Sequence, residues 1–115
     1  MGNYFQKEIE CASADQIRAW QSERLVKQVK NIYDNVPYYR TRMQNKGLEP
    51  SDIKSIDDLH KLPFITKDDL RDAYPYGLLA RPLKDCVRMQ STSGTTGRRV
   101  VAFYTQHDLD LWEDC

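Results

Sequence analysis

The segment Gln90-Ser91-Thr92-Ser93-Gly94-Thr95-Thr96-Gly97-Arg98-Arg99 concentrates five hydroxyl side chains, two glycines and two arginines in ten residues. Each type has a use around a polyphosphate. Glycine removes the Cβ that keeps backbone from a ligand, and it permits turns with positive φ. Successive backbone N–H groups then form a concavity that suits an anion. Ser and Thr hydroxyls donate to phosphate oxygens, or complete a Mg²⁺ shell, without adding charge. A guanidinium opposes developing negative charge through charge-assisted hydrogen bonds. The alternative is an inert hairpin tip. A Walker loop is excluded: Gly94 and Gly97 are only three residues apart, no Lys-Ser/Thr pair follows, and the next run favours strand over helix.

The elements that must hold this loop are legible on both sides. Cys86–Gln90 and Val100–Tyr104 are the two strongest strand candidates, so the loop is expected at the tip of a hairpin. Asp108–Trp112 follows as the start of a helix.

Upstream the pattern is helical. Ser13 with Gln16 reads as a capping box, and Ile17, Trp20, Leu25, Val29, Ile32, Tyr33 and Val36 recur near one face. Pro37 ends that helix and can open a second one at its first position, carrying Tyr38, Tyr39 and Met43. Gly47 supplies a left-handed C-cap and Pro50 a stop. Ser55 with Asp58 caps a brief helical turn, and Leu62–Ile65 is extended across Pro63. Thr66 with Asp69 opens a helix through about Tyr74, closed by Pro75-Tyr76-Gly77. The predicted class is an α/β fragment: a mainly helical part over residues 1–82, then a strand–loop–strand with the start of a helix over 83–115, together one incomplete domain.

Composition narrows the function classes. Lys plus Arg and Asp plus Glu both total 17, giving a net charge of +0, so no electrostatic case exists for nucleic acid or an anionic membrane. No apolar run approaches the ~18 residues of a membrane span. The first residues lack the basic and apolar regions of a signal peptide, which points to the cytoplasm. Cys11, Cys86 and Cys115 form no CxxC pair, and neither His60 nor His107 falls at zinc spacing with them, so no metal site is expected.

Beyond the loop, candidates have competing readings. Lys67 falls in the first turn of a helix, where a cation opposes the helix dipole; it either faces a nucleotide or acid, or is a solvated lysine beside Asp68 and Asp69. Tyr33, Tyr38 and Tyr39 either line a pocket or pack the core. Asp68, Asp69 and Arg71 read most simply as a helix-surface pair. Trp20 and Trp112 are core anchors or exposed interface.

Ser-Gly-Thr-Thr-Gly at 93–97 resembles the phosphate-binding signature of the adenylate-forming superfamily of acyl-CoA synthetases. The segments Asn35-Val36-Pro37-Tyr38-Tyr39-Arg40, Leu62-Pro63-Phe64-Ile65-Thr66-Lys67-Asp68-Asp69-Leu70-Arg71 and Tyr74-Pro75-Tyr76-Gly77-Leu78 resemble phenylacetate–CoA ligases in order and spacing. The resemblance implies the N-terminal piece of the large adenylate-forming domain, with ATP, Mg²⁺, coenzyme A and an aryl acid as the intact enzyme's ligands. Ser93, Gly94, Thr95, Thr96, Gly97 and Arg98 would then hold the ATP phosphates. Two departures stand out. Arg98-Arg99 replaces a frequent Lys-Pro, and Phe103 stands where related sequences often carry Gly. Such ligases are several times longer, so no catalytic residue is expected in this stretch and the chain alone is not expected to ligate. The competing expectations are a stand-alone nucleotide- or partner-binding remnant, and self-association through exposed apolar surface.

Overall fold

Five helices, three 3₁₀ turns and one hairpin follow from these signals in a computed structural model that describes residues 3–91 and 100–115. The helices are α1 (Lys7–Glu10), α2 (Ala14–Asn35), α3 (Pro37–Asn45), α4 (Lys67–Asp72) and α5 (Gln106–Asp114). The 3₁₀ turns are Pro50–Asp52, Ile56–Lys61 and Leu83–Asp85, and the strands are β1 (Cys86–Ser91) and β2 (Val101–Thr105).

Local chemistry sets most of the boundaries. The Ser13 side chain accepts from the Gln16 N–H and starts α2; the reciprocal Gln16 bond of a full box is not formed. Pro37 takes the first position of α3, and the chain leaves that helix through Gly47 at φ 70°. Full capping boxes form at Ser55/Asp58, at Thr66/Asp69 and at Thr105/Asp108. The last of these starts α5 at Gln106, two residues before the expected Asp108. Helix α4 stops at Asp72, short of Tyr74, ahead of a cis Tyr74–Pro75 bond. In the turn that follows, a Cβ on Gly77 would come within 2.6 Å of the Ala73 carbonyl oxygen, so the chain passes there only without a side chain.

The core lies where α2 crosses α3. Val29, Val36, Tyr39, Met43 and Ile53 are buried, with Leu25, Ile32, Leu48, Leu62, Leu78 and Ala80 packed around them. Tyr39 does both things the sequence left open: it packs in the core and borders an open apolar groove of about 520 Å³ with Ile32, Leu62 and Phe64. Its ring is buried and its hydroxyl donates to the Pro63 carbonyl at 2.7 Å, which satisfies the polar end. The 3₁₀ turn at 56–61 is tied to α2 by the Ile56 N–H donating to Ser22 Oγ at 3.0 Å and by an Arg18–Asp57 ion pair. No helix is long and apolar enough to cross a membrane among the described residues.

Met43 and Ile53 are fully enclosed, at 0% and 1% exposure, so Ile53→Ala should cost about 2–5 kcal/mol in urea unfolding. Leu59→Ala, at a half-exposed position, should stay within about 0.5 kcal/mol. Gly77→Ala should cost about 1–3 kcal/mol by crowding the Ala73 backbone.

Candidate functional site

The loop residues expected to hold phosphates, Ser93, Gly94, Thr95, Thr96, Gly97 and Arg98, lie outside the described residues. What the structure describes is their mount. Strands β1 and β2 pair antiparallel from Cys86↔Thr105 to Ser91↔Val101, and that last pair forms the base of the loop. The ladder is irregular between Cys86 and Arg88, where a bulge adds a residue to β1 and sharpens the twist. All five β2 residues are half-buried, whereas β1 is exposed from Val87 onward. Strand β2 is therefore the one that seats the hairpin on the rest of the chain.

Two aromatic contacts fix that seat. Phe103 stacks on Tyr76, in the turn after α4, with ring centroids 5.6 Å apart, and Tyr104 meets Trp112 of α5 at the same distance. Phe103, one of the departures noted in the sequence, thus has a specific partner. A cavity of about 270 Å³ runs along this junction. Leu70, Ala73, Leu78 and Leu79 line one side, and Val101, Ala102 and Phe103 line the other. Half-buried Cys86 also faces it, as a free thiol.

Behind the junction stands a charged cluster. Asp69 is not part of a helix-surface pair: Asp68 alone meets Arg71, at 3.1 Å, and Asp69 is buried at 7% exposure. The capping role turns its carboxylate back over Thr66 and into the α3 interface, away from Arg71. Its Oδ2 accepts from the Thr66 N–H at 2.8 Å, from Thr66 Oγ1 at 3.1 Å and from Arg42 Nη1 at 3.0 Å. Its Oδ1 accepts from the Tyr38 hydroxyl at 2.9 Å and from Arg42 Nη2. The same Arg42 donates to the Phe64 carbonyl at 3.1 Å and lies 5.1 Å from the Tyr38 ring centroid. The Thr66 N–H, and then Arg42 and Tyr38, hold the Asp69 carboxyl well below the usual carboxylate range against the opposing effect of burial. The hydrogen bond to Asp69 pushes the Tyr38 hydroxyl up.

Sequence reasoning identified Thr66–Asp69 as a cap and missed Arg42 and Tyr38 as its partners. Helical spacing puts Tyr38 and Arg42 four residues apart on one face, a usable signal, but nothing in the sequence links that face to residue 69. Lys67 is exposed as the first residue of α4 and makes no ion pair among the described residues. Trp112 is half-exposed beside β2, and Trp20 is partly buried on α2. Among the described residues no group of three or more His, Cys, Asp or Glu side chains could hold a metal ion.

No family model matches the chain. Individual relatives do. It is 49% identical over 104 residues to a phenylacetate–coenzyme A ligase of Aromatoleum evansii, covering 90% of this chain and 24% of that one. Identity is 45% over 104 residues to the phenylacetate–coenzyme A ligase of Escherichia coli K12, with the same two coverages. Against the Thermus thermophilus enzyme of that name it is 39% over 110 residues. Over this stretch the chain is similar to phenylacetate–CoA ligases. It spans about a quarter of the length of the curated relatives it matches. Its fold matches a solved 2-hydroxyisobutyryl-CoA ligase, in complex with 2-HIB-AMP and CoA, with a TM-score of 0.74 and 27% identity over 84% of this chain and 21% of that one. A second structure of that ligase, in the postadenylation state, gives 0.72 at 24% identity and supports the fold. The mainly helical part followed by an antiparallel hairpin is thus the adenylate-forming CoA ligase architecture, in part.

Two depressed carboxyls make the stability of this chain acid-sensitive. Asp58 is lowered to about 2 by the Lys54 N–H and then the Lys61 ammonium, and Asp69 is lowered too. A carboxyl depressed in the folded state stabilises above its unfolded value of 3.8, and that contribution is lost as pH falls through the folded value. The urea midpoint should therefore fall between about pH 4 and pH 2. Asp58→Asn should lower it at pH 7 and flatten the fall.

Proposed function

We propose that this chain is the N-terminal portion of an ATP-dependent aryl-acid CoA ligase of the phenylacetate type, converting acid, ATP and CoA to acyl-CoA, AMP and pyrophosphate. The observation that carries the reading is the 45–49% identity to phenylacetate–CoA ligases over 104 residues that include the Ser93–Gly97 loop. The chemistry runs in two steps. A carboxylate oxygen attacks the α-phosphorus of ATP; the bond to the bridging oxygen breaks, and pyrophosphate leaves from an acyl adenylate. The CoA thiol then adds to the acyl carbonyl, loses its proton, and displaces AMP.

In this reading the loop holds the β- and γ-phosphates. Ser93, Thr95 and Thr96 donate hydroxyls, Gly94 and Gly97 let backbone N–H groups approach, and Arg98 faces the charge that grows on the leaving group. Mg²⁺ enters with ATP, and the described residues supply no carboxylate cluster of their own for it. Lys67, exposed and without an ion pair among the described residues, is the one further cation assigned to the nucleotide or acid side. Residues 1–82 and 83–115 together form one incomplete domain. The chain by itself does not ligate, because it spans about a quarter of the relatives' length. Work in the cytoplasm accords with ATP and CoA as substrates. Exposed Phe64, Met89 and Trp112 favour self-association when the chain is studied alone.

Trp112 packs on β2 and so reports on the loop's mount. Titration of the chain with Mg·ATP should give a saturable change in Trp fluorescence, weakened at least about 10-fold in Thr95→Ala/Thr96→Ala, as expected for losing two charge-assisted hydrogen bonds. A flat titration up to millimolar ATP would remove phosphate binding by this chain.

A further inference from the structure

The groove that Tyr39 borders is apolar throughout. Ile32, Val36, Leu62, Leu78 and Ala80 line it with Tyr39 over about 520 Å³. The Tyr39 hydroxyl donates to the Pro63 carbonyl, which leaves Gln28 as the other polar side chain along its walls, and no charged side chain lines it. At the rim stand Leu59, Phe64 and Ile65, and Phe64 is 91% exposed. The backbone that carries this ring is held on both sides. The carbonyl before it accepts from Tyr39 at 2.7 Å, and its own carbonyl accepts from Arg42 at 3.1 Å. An apolar ring is thus fixed in place, uncovered, beside an open apolar groove.

A face that carries both a projecting ring and a receiving groove is complementary to its own copy. Across a two-fold axis each ring meets the other's groove, so one patch supplies both halves of the contact. Charge does not oppose the pairing, because no charged side chain lines the groove and the chain has a net charge of +0. Area sets the strength. A buried aromatic side chain removes roughly 150–250 Å² from water. Two Phe64 rings, the groove walls they cover and the Leu59 and Ile65 rims then bury roughly 1,000 Å², the low end of specific interfaces. Contact of that size gives a weak, reversible dimer.

We propose that this groove takes the Phe64 ring of a second copy of the chain, forming a two-fold dimer. The proposal rests on the self-association reading and assigns it one face, built from α2, α3 and residues 59–65 rather than from the hairpin, where Met89 is also exposed.

Sedimentation equilibrium of the intact chain tests it. A monomer–dimer equilibrium with a Kd in the micromolar range is expected, and it should not weaken as sodium chloride is raised to about 1 M, since no charge pair crosses the contact. Phe64→Asp should raise the Kd at least about 10-fold, and Gln28→Glu, which places a charge on the groove wall, at least about 5-fold. Met89→Asp should leave it unchanged. All three positions are exposed, so circular dichroism should show the fold intact; should Phe64→Asp lose it, Phe64→Ser carries the same comparison. A chain that stays monomeric to millimolar concentration would overturn both the dimer and the self-association reading, and leave the groove to a different partner. A dimer weakened by Met89→Asp and not by Phe64→Asp would place the interface on the hairpin, overturning this proposal while self-association stands. Assembly beyond the dimer would show a head-to-tail contact and overturn the two-fold pairing.

Discussion

A carboxylate withdrawn from water must recover its lost solvation from donors held in place, and Asp69 does so with five. Two come from its own turn, through the Thr66 N–H and hydroxyl. The other three come from α3, through Tyr38 and both ends of the Arg42 fork. Because the local bonds and the distant bonds share one carboxylate, the start of α4 cannot form in its observed place independently of α3. Removing either cation or cap would leave a buried charge short of partners, which costs far more than the pair contributes when whole. The placement of α4 against α3 depends on this one group.

Around it the molecule is layered by type of interaction. The α2–α3 crossing is apolar and closed, with Met43 and Ile53 out of reach of solvent. The next layer, residues 63–80, is attached by polar bonds to backbone carbonyls and to Asp69. Among the described residues the hairpin is attached through aromatic stacking and partial burial. Enclosure decreases outward, and large apolar side chains lie open on the outer parts: Phe64 at 91% exposure, Met89 at 64% and Trp112 at 54%. Such surface in a chain that matches a quarter of its relatives' length fits the middle of an interface better than the outside of a finished domain.

The sequence was informative where the physics is local. Ser55/Asp58 and Thr66/Asp69 formed as boxes because a cap needs only residues three apart. Gly47 adopted the left-handed cap, and Pro37 took its helix start, for equally local reasons. Strand β1 ran one residue beyond expectation and β2 began one residue later, and cross-strand pairing, which no single strand encodes, set those ends. Asp69 was misread because Asp68, three residues before Arg71, and Asp69 beside it look alike in sequence, and only the tertiary approach of Arg42 shows which carboxylate is turned inward. The hairpin was legible from residue types, and its seat was not: the Tyr76–Phe103 contact joins a turn to a strand 27 positions away.

The hairpin's seat bears on what a loop at its tip could do. In the proposed reading the hydroxyls and backbone N–H groups carry no net charge and Arg98 and Arg99 supply the local one, while the whole chain has a net charge of +0, so long-range attraction contributes little to holding a polyphosphate. Binding then has to come from short-range donors whose strength falls steeply with distance and angle. Donors of that kind stabilise a charge-separating step only if their positions are set before the ligand arrives, since reorganising them would consume the interaction. A two-stranded ladder with one exposed strand does not set positions on its own. What lies beneath the tip among the described residues is the seat of β2, with Phe103 on Tyr76 and Tyr104 against Trp112, and donors held at the tip depend on that seat whatever local charge Arg98 and Arg99 add.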